Sequence, residues 1–198
     1  MDVPTDRQSP DPTAADATPV DVATVTSREV YRNAWMSVRE DEICRRDGTA
    51  GIFGVVDRPL GAVVIARRTH DDVVQFYLVE QFRYPVSARR WEFPAGTSPD
   101  SDDALIVARR ELLEETGLES DDLRVLSVID VAPGFTSQRS AVVLADDPRP
   151  GTARLEHEEQ DLLGRWWTRD EIVEAIRTGG VVDAQTLAAW ACLSVYDA

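Results

Sequence analysis

The chain has 198 residues, of which 43% are hydrophobic and 29% are charged, as in a globular domain with a packed core. Its formal net charge of −15 argues against a general nucleic-acid-binding protein, which presents a basic surface to phosphates. Its two cysteines lie outside any zinc-binding spacing, and no apolar run approaches the roughly 20 residues that span a bilayer, so we expect a cytoplasmic protein without a membrane partner.

The N-terminal part of the chain divides into a tail and a β-rich region. Residues 1–25 are rich in Pro, Asp, Thr and Ala, and this composition predicts a disordered acidic tail. Alternation of polar and apolar residues then predicts strands over Val22–Tyr31, Trp35–Cys44 and Ile52–Val56. We therefore expect an N-terminal β region over residues 26–56 and a main domain over residues 57–198.

The main domain mixes strands and helices. Strands are predicted over Ala62–Ala66, Val73–Glu80, Leu123–Val131 and Ser140–Leu144. Thr168 and Glu171 form a capping box that opens a helix to about Arg177, and Asp183 caps a last helix over Ala184–Val195. Since the elements do not follow a regular βαβ alternation, we expect an α/β fold with a mixed sheet and helices on both faces.

A further helix is predicted between the two pairs of strands, beginning near Ser101 or Asp102 and ending at Gly117. It carries three carboxylates at i, i+3 and i+4, which places them on one face, one turn apart: Glu111, Glu114 and Glu115. Like charges at this spacing repel unless a cation collects them, and Mg²⁺ prefers oxygen ligands. The spacing indicates a metal-dependent enzyme. An exposed helix whose glutamates pair with Arg109 and Arg110 is the alternative.

The apolar residues of this helix predict its surroundings. Leu105, Ala108 and Leu112 form one apolar stripe, while Ile106 and Leu113 form another on a different side. We therefore expect the helix to be packed on both sides, which would leave the glutamates in a partly desolvated groove. Before the helix, the sequence Pro94-Ala95-Gly96 predicts a tight turn that exposes the Ala95 carbonyl as another oxygen ligand. Arg110 is positioned to hold a glutamate in one rotamer.

The segment from Gly96 to Leu118 resembles the Nudix box, G-x5-E-x7-R-E-U-x-E-E-x-G-U, where U is a bulky aliphatic residue. The matching residues are Gly96, Arg110, Glu111, Leu112, Glu114, Glu115, Gly117 and Leu118, and Asp102 replaces the first Glu. The resemblance implies a Nudix α/β/α sandwich that hydrolyses a nucleoside diphosphate linked to another group. It also implies that Glu111 and Glu115 bind Mg²⁺ or Mn²⁺ with help from Glu114 and the Ala95 carbonyl, while Arg110 orients a glutamate.

Two motifs outside the box resemble the ADP-ribose pyrophosphatase and nucleoside-diphosphate-sugar hydrolase branch of that family. They are Gln81-Phe82-Arg83-Tyr84-Pro85 and Trp91-Glu92-Phe93-Pro94-Ala95-Gly96, and the stretch 132–137 resembles the substrate loop of the branch. The resemblance implies a nucleoside diphosphate sugar, ADP-ribose or a related compound, as substrate. It also implies a homodimer formed through the N-terminal β region.

Several side chains are candidates to bind this substrate. Arg83 suits a phosphate or a ribose hydroxyl, or else forms a structural ion pair. Trp35 and Phe135 are candidates to stack on the nucleobase, although a core position for Trp35 is equally compatible with its place in a β segment. Glu92 either adds a carboxylate near the metal or forms a salt bridge at a strand end.

The general base is the weakest point of the sequence pattern. Gln138 stands where the substrate loop of this branch often has Glu, and an amide does not accept a proton at neutral pH. Glu158 and Glu159, in an acidic run, are candidates for the missing acid, with a solvated surface as the alternative for this run. A metal-bound hydroxide would make such an acid unnecessary. Two other functions stay open at this stage. One is a Nudix pyrophosphatase for GDP-mannose or a deoxynucleoside triphosphate, and the other is a nucleotide-sugar sensor without turnover.

Overall fold

A computed structural model of the chain describes residues 21–151 and 162–198. The tail predicted over residues 1–25 lies outside the described residues as far as position 20. An antiparallel three-stranded sheet comes first, formed by β1 (Val22–Arg32), β2 (Ser37–Arg45) and β3 (Ala50–Asp57). All residues of β1 are exposed.

Among the described residues, the main sheet has seven strands. They are β4 (Gly61–His70), β5 (Val73–Arg83), β6 (Ala88–Glu92), β7 (Ala95–Thr97), β9 (Asp122–Asp130), β10 (Arg139–Asp146) and β12 (Leu163–Thr168). Their central order is β12-β5-β4-β10-β9, with β6 paired to β5 and β7 paired to β4. The β4–β10 pair is parallel and the other pairs are antiparallel. Two short strands, β8 (Leu118–Glu119) and β11 (Arg149–Pro150), form a separate pair.

Helices cover both faces of the main sheet. On one face, α1 (Ala104–Thr116) buries Val107, Ala108 and Leu112 against alternate residues of β4 and β10. On the other face, α2 (Arg169–Thr178) and α3 (Ala184–Tyr196) form a core with side chains that include Phe76, Ile172, Trp190 and Leu193. Each fully buried side chain of this size contributes about 1.5–3 kcal/mol. The mixed sheet with helices on both faces, predicted from the sequence, is confirmed.

The helix ends follow capping rules. Thr168 and Glu171 form the predicted capping box of α2, and Asp183 accepts the Thr186 N–H at 2.7 Å to open α3. Helix α1 begins later than Ser101 or Asp102, because the Asp103 carboxylate accepts the Leu105 and Ile106 N–H groups. None of the helices in the described residues is long and apolar enough to cross a bilayer.

In the part of the chain that the structure describes, only one side of α1 is packed, so the prediction of a helix buried on two sides is wrong. Ile106 is 58% exposed, and Leu105, expected in the buried stripe, is also exposed. The physical reason is the layer order: α1 is an outer layer, and only the face that carries Val107, Ala108 and Leu112 meets the sheet.

Candidate active site

A cleft of about 480 Å³ opens beside the start of β4, within the size range of small-ligand sites. Segments from the β3–β4 connection, the end of β5, β7, the start of β10 and the start of α3 meet there. Four residues that the sequence singled out line this cleft: Arg83, Glu92, Ala95 and Gln138. Residues far apart in the chain therefore converge on one site.

Arg83 and Glu92 form a two-pronged ion pair inside the cleft. The Arg83 Nη2 lies 2.5 Å from the Glu92 Oε2, and its Nε lies 3.1 Å from the Oε1. Glu92 is buried, so the pair offsets the cost of desolvating that carboxylate. Burial lowers the pKa of Arg83, but the hydrogen bond that Arg83 donates to Glu92 and the charges of Glu92, Glu115 and Asp183 outweigh this and raise it. Arg83 and Glu92 therefore form the ion pair that the sequence left open as an alternative for each of them, and both also line the cleft.

Two of the three glutamates of α1, the first and the last in sequence, are buried beside β7. Glu111 is 4% exposed and Glu115 is 5% exposed. The Glu115 Oε2 accepts the Ala95 N–H at 3.1 Å, which connects the end of the helix to the cleft wall. Uncompensated carboxylates at such burial are costly, so these side chains depend on their donors.

Arg110 connects α1 to β7 and holds two of the glutamates. It donates to Glu114 at 2.6 Å, to the Thr97 carbonyl at 2.8 Å, and to Glu111. These contacts fix the rotamers of both carboxylates, as a charged hydrogen bond does.

Gly96 makes room for Glu111. It belongs to β7, paired with Ala62 of β4, so the predicted tight turn at this position is wrong. A Cβ added to Gly96 would overlap the Glu111 carboxylate. A larger residue at this position would force the Glu111 carboxylate to move away from the strand.

The donor set fits a hard divalent cation in its chemistry. Buried carboxylate oxygens beside a backbone strand are the ligands that Mg²⁺ and Mn²⁺ prefer. Within the two described stretches of chain, no three acidic, His or Cys side chains are grouped closely enough to hold a metal ion as they stand. Arg110 and the Ala95 amide engage these carboxylates instead, so a cation would have to displace them. Asp102, the substitute in the Nudix pattern, is exposed and precedes α1.

The two candidate stacking residues lie outside the cleft lining. Trp35, between β1 and β2, is 62% exposed, so the core alternative for this residue is wrong. Phe135 is also exposed, in the connection between β9 and β10. Glu158 and Glu159 lie outside the described residues.

Arg58 is a cleft residue that the sequence reasoning missed. It follows β3 and lines the cleft together with Arg83 and Arg90. Partial burial and the nearby charge of Arg83 lower the pKa of Arg58. Among the described residues, no carboxylate forms an ion pair with it. Two guanidinium groups that repel each other at one site favour an anionic ligand between them.

Comparison with protein families agrees with this geometry. Residues 57–190 match the family model of the NUDIX domain. The chain belongs to the Nudix family. In addition, residues 23–56 match the model described as the nucleoside diphosphate sugar hydrolase N-terminal domain. The predicted family and enzyme class, a Nudix pyrophosphatase, are confirmed.

Individual relatives cover most of this Nudix chain. An ADP-ribose pyrophosphatase of Mycobacterium tuberculosis is 31% identical over 170 residues, which are 85% of this chain and 81% of the relative. A methanol dehydrogenase activator of Bacillus methanolicus is 26% identical over 178 residues, covering 88% of this chain and 94% of the relative. The crystal structure of an ADP compounds hydrolase shares the fold, with a TM-score of 0.75 and 19% identity over 89% of this chain and 94% of that one.

Proposed function

We propose that this Nudix enzyme hydrolyses the diphosphate of ADP-ribose, or of a related nucleoside diphosphate sugar, to a nucleoside monophosphate and a sugar phosphate. The proposed cofactor is Mg²⁺ or Mn²⁺. The observation that carries the proposal is the composition of the cleft, in which arginines without a full set of counterions adjoin buried carboxylates. In a chain of net charge −15, such a local cluster of guanidinium groups matches a diphosphate rather than a general polyanion.

The arginines supply the substrate contacts in this proposal. Arg58 and Arg83 bind the diphosphate oxygens, and the planar guanidinium fork suits two oxygens at once. Glu92 keeps Arg83 aligned through the ion pair described above. Trp35 and Phe135 are proposed to stack on the nucleobase, which agrees with their exposed rings.

The carboxylates supply the metal ligands in this proposal. Glu111 and Glu115, supported by Glu114 and the Ala95 carbonyl, would hold the divalent cation. When bound, such a cation neutralises diphosphate charge and lowers the pKa of an attacking water. Arg110 would have to release Glu111 for this role and could keep Glu114 oriented through their hydrogen bond.

The proton acceptor is proposed to come from the acidic run that includes Glu158 and Glu159. Gln138 lines the cleft, but its amide has no basic site at neutral pH.

We also propose that the enzyme is a cytoplasmic homodimer that associates through the N-terminal sheet. The exposed apolar side chains of β1 and β3 support association, since water-exposed apolar clusters mark contact surfaces. The two free cysteines, Cys44 and Cys192, agree with a reducing compartment.

Product analysis tests the proposed reaction. The purified protein with Mg²⁺ is expected to convert ADP-ribose to AMP and ribose 5-phosphate, and a chelator is expected to stop the reaction. Glu115→Gln should lower turnover at least about 100-fold while AMP binding, measured by calorimetry, persists. Faster hydrolysis of GDP-mannose or of a deoxynucleoside triphosphate would reassign the substrate.

One alternative function is favoured by a particular residue. Gln138 in place of the frequent Glu supports a nucleotide-sugar sensor that binds without turnover. The same assay separates the two functions: nucleotide binding without any metal-dependent product identifies the sensor.

A further inference from the structure

The loop of residues 132–138, between β9 and β10, is attached to the end of β3 through backbone and side-chain bonds. The Val56 N–H donates to the Phe135 carbonyl at 2.8 Å, and the Ser137 N–H donates to the Val56 carbonyl at 3.3 Å. The Thr136 hydroxyl donates to the same Val56 carbonyl at 2.6 Å. The loop therefore continues the N-terminal sheet as a short parallel bridge.

A side-chain bond closes this attachment next to the cleft. The Ser137 hydroxyl donates to the Asp57 carboxylate. The residues that follow in the chain, Gln138 and Arg58, both line the cleft. The Asp57–Ser137 bond thus connects the segment that carries Arg58 to the segment that carries Gln138, one residue before each of these cleft residues.

Asp57 is itself held by a chain of polar contacts across the N-terminal sheet. Arg39 donates to Asp57 and, through its Nε at 2.9 Å, to Asp41. Asp41 is buried and accepts the Ser27 hydroxyl at 2.6 Å. Burial raises the pKa of Asp57, but the hydrogen bonds from Ser137 and Arg39 outweigh it and lower the pKa, so the carboxylate stays an ionised acceptor.

We propose that Asp57 is a positioning residue, which holds Ser137 so that the 132–138 loop and Gln138 keep their place relative to Arg58. This inference rests on the proposed function, because it assigns the N-terminal sheet a part in substrate affinity. Asp57 acts through Ser137 and touches no reacting atom. Its loss should change substrate binding rather than the chemical step.

The test compares five variants with the wild-type protein. Ser137→Ala and Asp57→Ala remove the bond from either side, and a double variant combines them. Ser137→Thr keeps the hydroxyl. Glu40→Gln is the matched control, because Glu40 is next to Arg39 and Asp41 on β2 but, among the described residues, pairs only with exposed Arg28. The measurements are kcat and KM for ADP-ribose, and amide hydrogen exchange over residues 132–138.

Ser137→Ala is expected to raise KM about three- to tenfold, the range that follows from losing one hydrogen bond of typical net strength at an exposed position, with kcat changed less than about twofold. Asp57→Ala should raise KM at least as much, because it also removes the contact with Arg39. The double variant should be no worse than Asp57→Ala, because the two substitutions break the same Asp57–Ser137 bond. Ser137→Thr and Glu40→Gln should match the wild type. Exchange over residues 132–138 should be faster in the alanine variants alone.

Three results would overturn the inference: an unchanged KM in Ser137→Ala, multiplied effects in the double variant, or loss of affinity in Ser137→Thr. A wild-type protein that hydrolyses neither ADP-ribose nor GDP-mannose would refute the proposed function instead. In that case the exchange rates still decide, since unchanged protection of residues 132–138 in Asp57→Ala and Ser137→Ala excludes the positioning role.

Discussion

The carboxylate of Glu111 occupies the space in which a side chain on Gly96 would lie. This contact explains why a residue without a Cβ stands in the middle of β7, where glycine normally weakens a strand. Glycine at position 96 lowers the strand propensity of β7, but it allows the buried Glu111 carboxylate to reach the cleft wall.

Gly96→Ala is predicted to disable the site without unfolding the domain. The added methyl group displaces Glu111, and a displacement of about 1 Å at a catalytic group lowers kcat on the order of 100-fold. Gly180→Ala is the control, because its Cβ would meet the nearest atom at 3.5 Å, an ordinary contact distance. Steady-state kinetics and circular dichroism check both variants, and full activity of Gly96→Ala would contradict the assignment of Glu111.

Short motifs in the sequence pointed to Arg83, Glu92, Ala95 and Gln138, and the structure places all four in the lining of one cleft. Arg58 was not predicted, because a single arginine after a strand has no spacing that distinguishes it from a surface charge. Its place in the cleft depends on the long-range pairing of β4 with β10. The sequence predicted a tight turn at Gly96, whereas the glycine makes room for Glu111. This contact joins residues that are distant in the sequence, so no local pattern predicts it.

Helix α3 is attached to the rest of the domain at both ends. Near its start, the buried Thr186 hydroxyl accepts the Phe93 N–H at 3.0 Å, two residues from Ala95 of the cleft. After its end, Asp197 pairs with Arg67 at 2.9 Å and with Arg169 at 3.0 Å. The first contact holds Asp183 and the start of α3 at the cleft.

Thr186→Val is predicted to destabilise the domain by about 1–3 kcal/mol, because it leaves the buried Phe93 N–H without an acceptor. Thr186→Ser retains the hydroxyl and serves as the control, with a smaller loss from one missing methyl group. Urea unfolding of the two variants and the wild type measures the difference. Wild-type stability of Thr186→Val would show that the hydrogen bond contributes nothing.

At the level of elements, periodicity predicted the long strands and the capping residues predicted α2 and α3. The short strands β6, β7, β8 and β11 were not predicted, because segments of two to five residues form by pairing with neighbours rather than by their own pattern. The apolar pair Ile106 and Leu113 suggested a second buried face on α1, but apolar residues also occur on outer surfaces.

The N-terminal sheet carries exposed apolar side chains. Ile52 on β3 is 67% exposed, and Val25 on β1 and Phe53 on β3 are also exposed. Burying apolar surface is worth about 25 cal/mol per Å², and the proposed dimer would remove these side chains from water.

Ile52→Asp is predicted to convert the proposed dimer into a monomer, because a carboxylate at the contact would be buried without a partner. Val195→Asp is the control, since Val195 is equally an exposed apolar residue but lies near the end of α3. Sedimentation velocity at micromolar concentration distinguishes the two masses. A monomeric wild-type protein under the same conditions would refute the dimer.

The parallel pairing of β4 with β10 has a consequence for engineering. Both strands start at the same border of the main sheet, and Val56 and Thr136, 80 positions apart, become neighbours there. Behind that border, Ala62–Ala66 and Ala141–Ala145 are fully enclosed. Replacing the segments that precede β4 and β10 with those of relatives would therefore change ligand selectivity together and leave the interior of the domain unchanged.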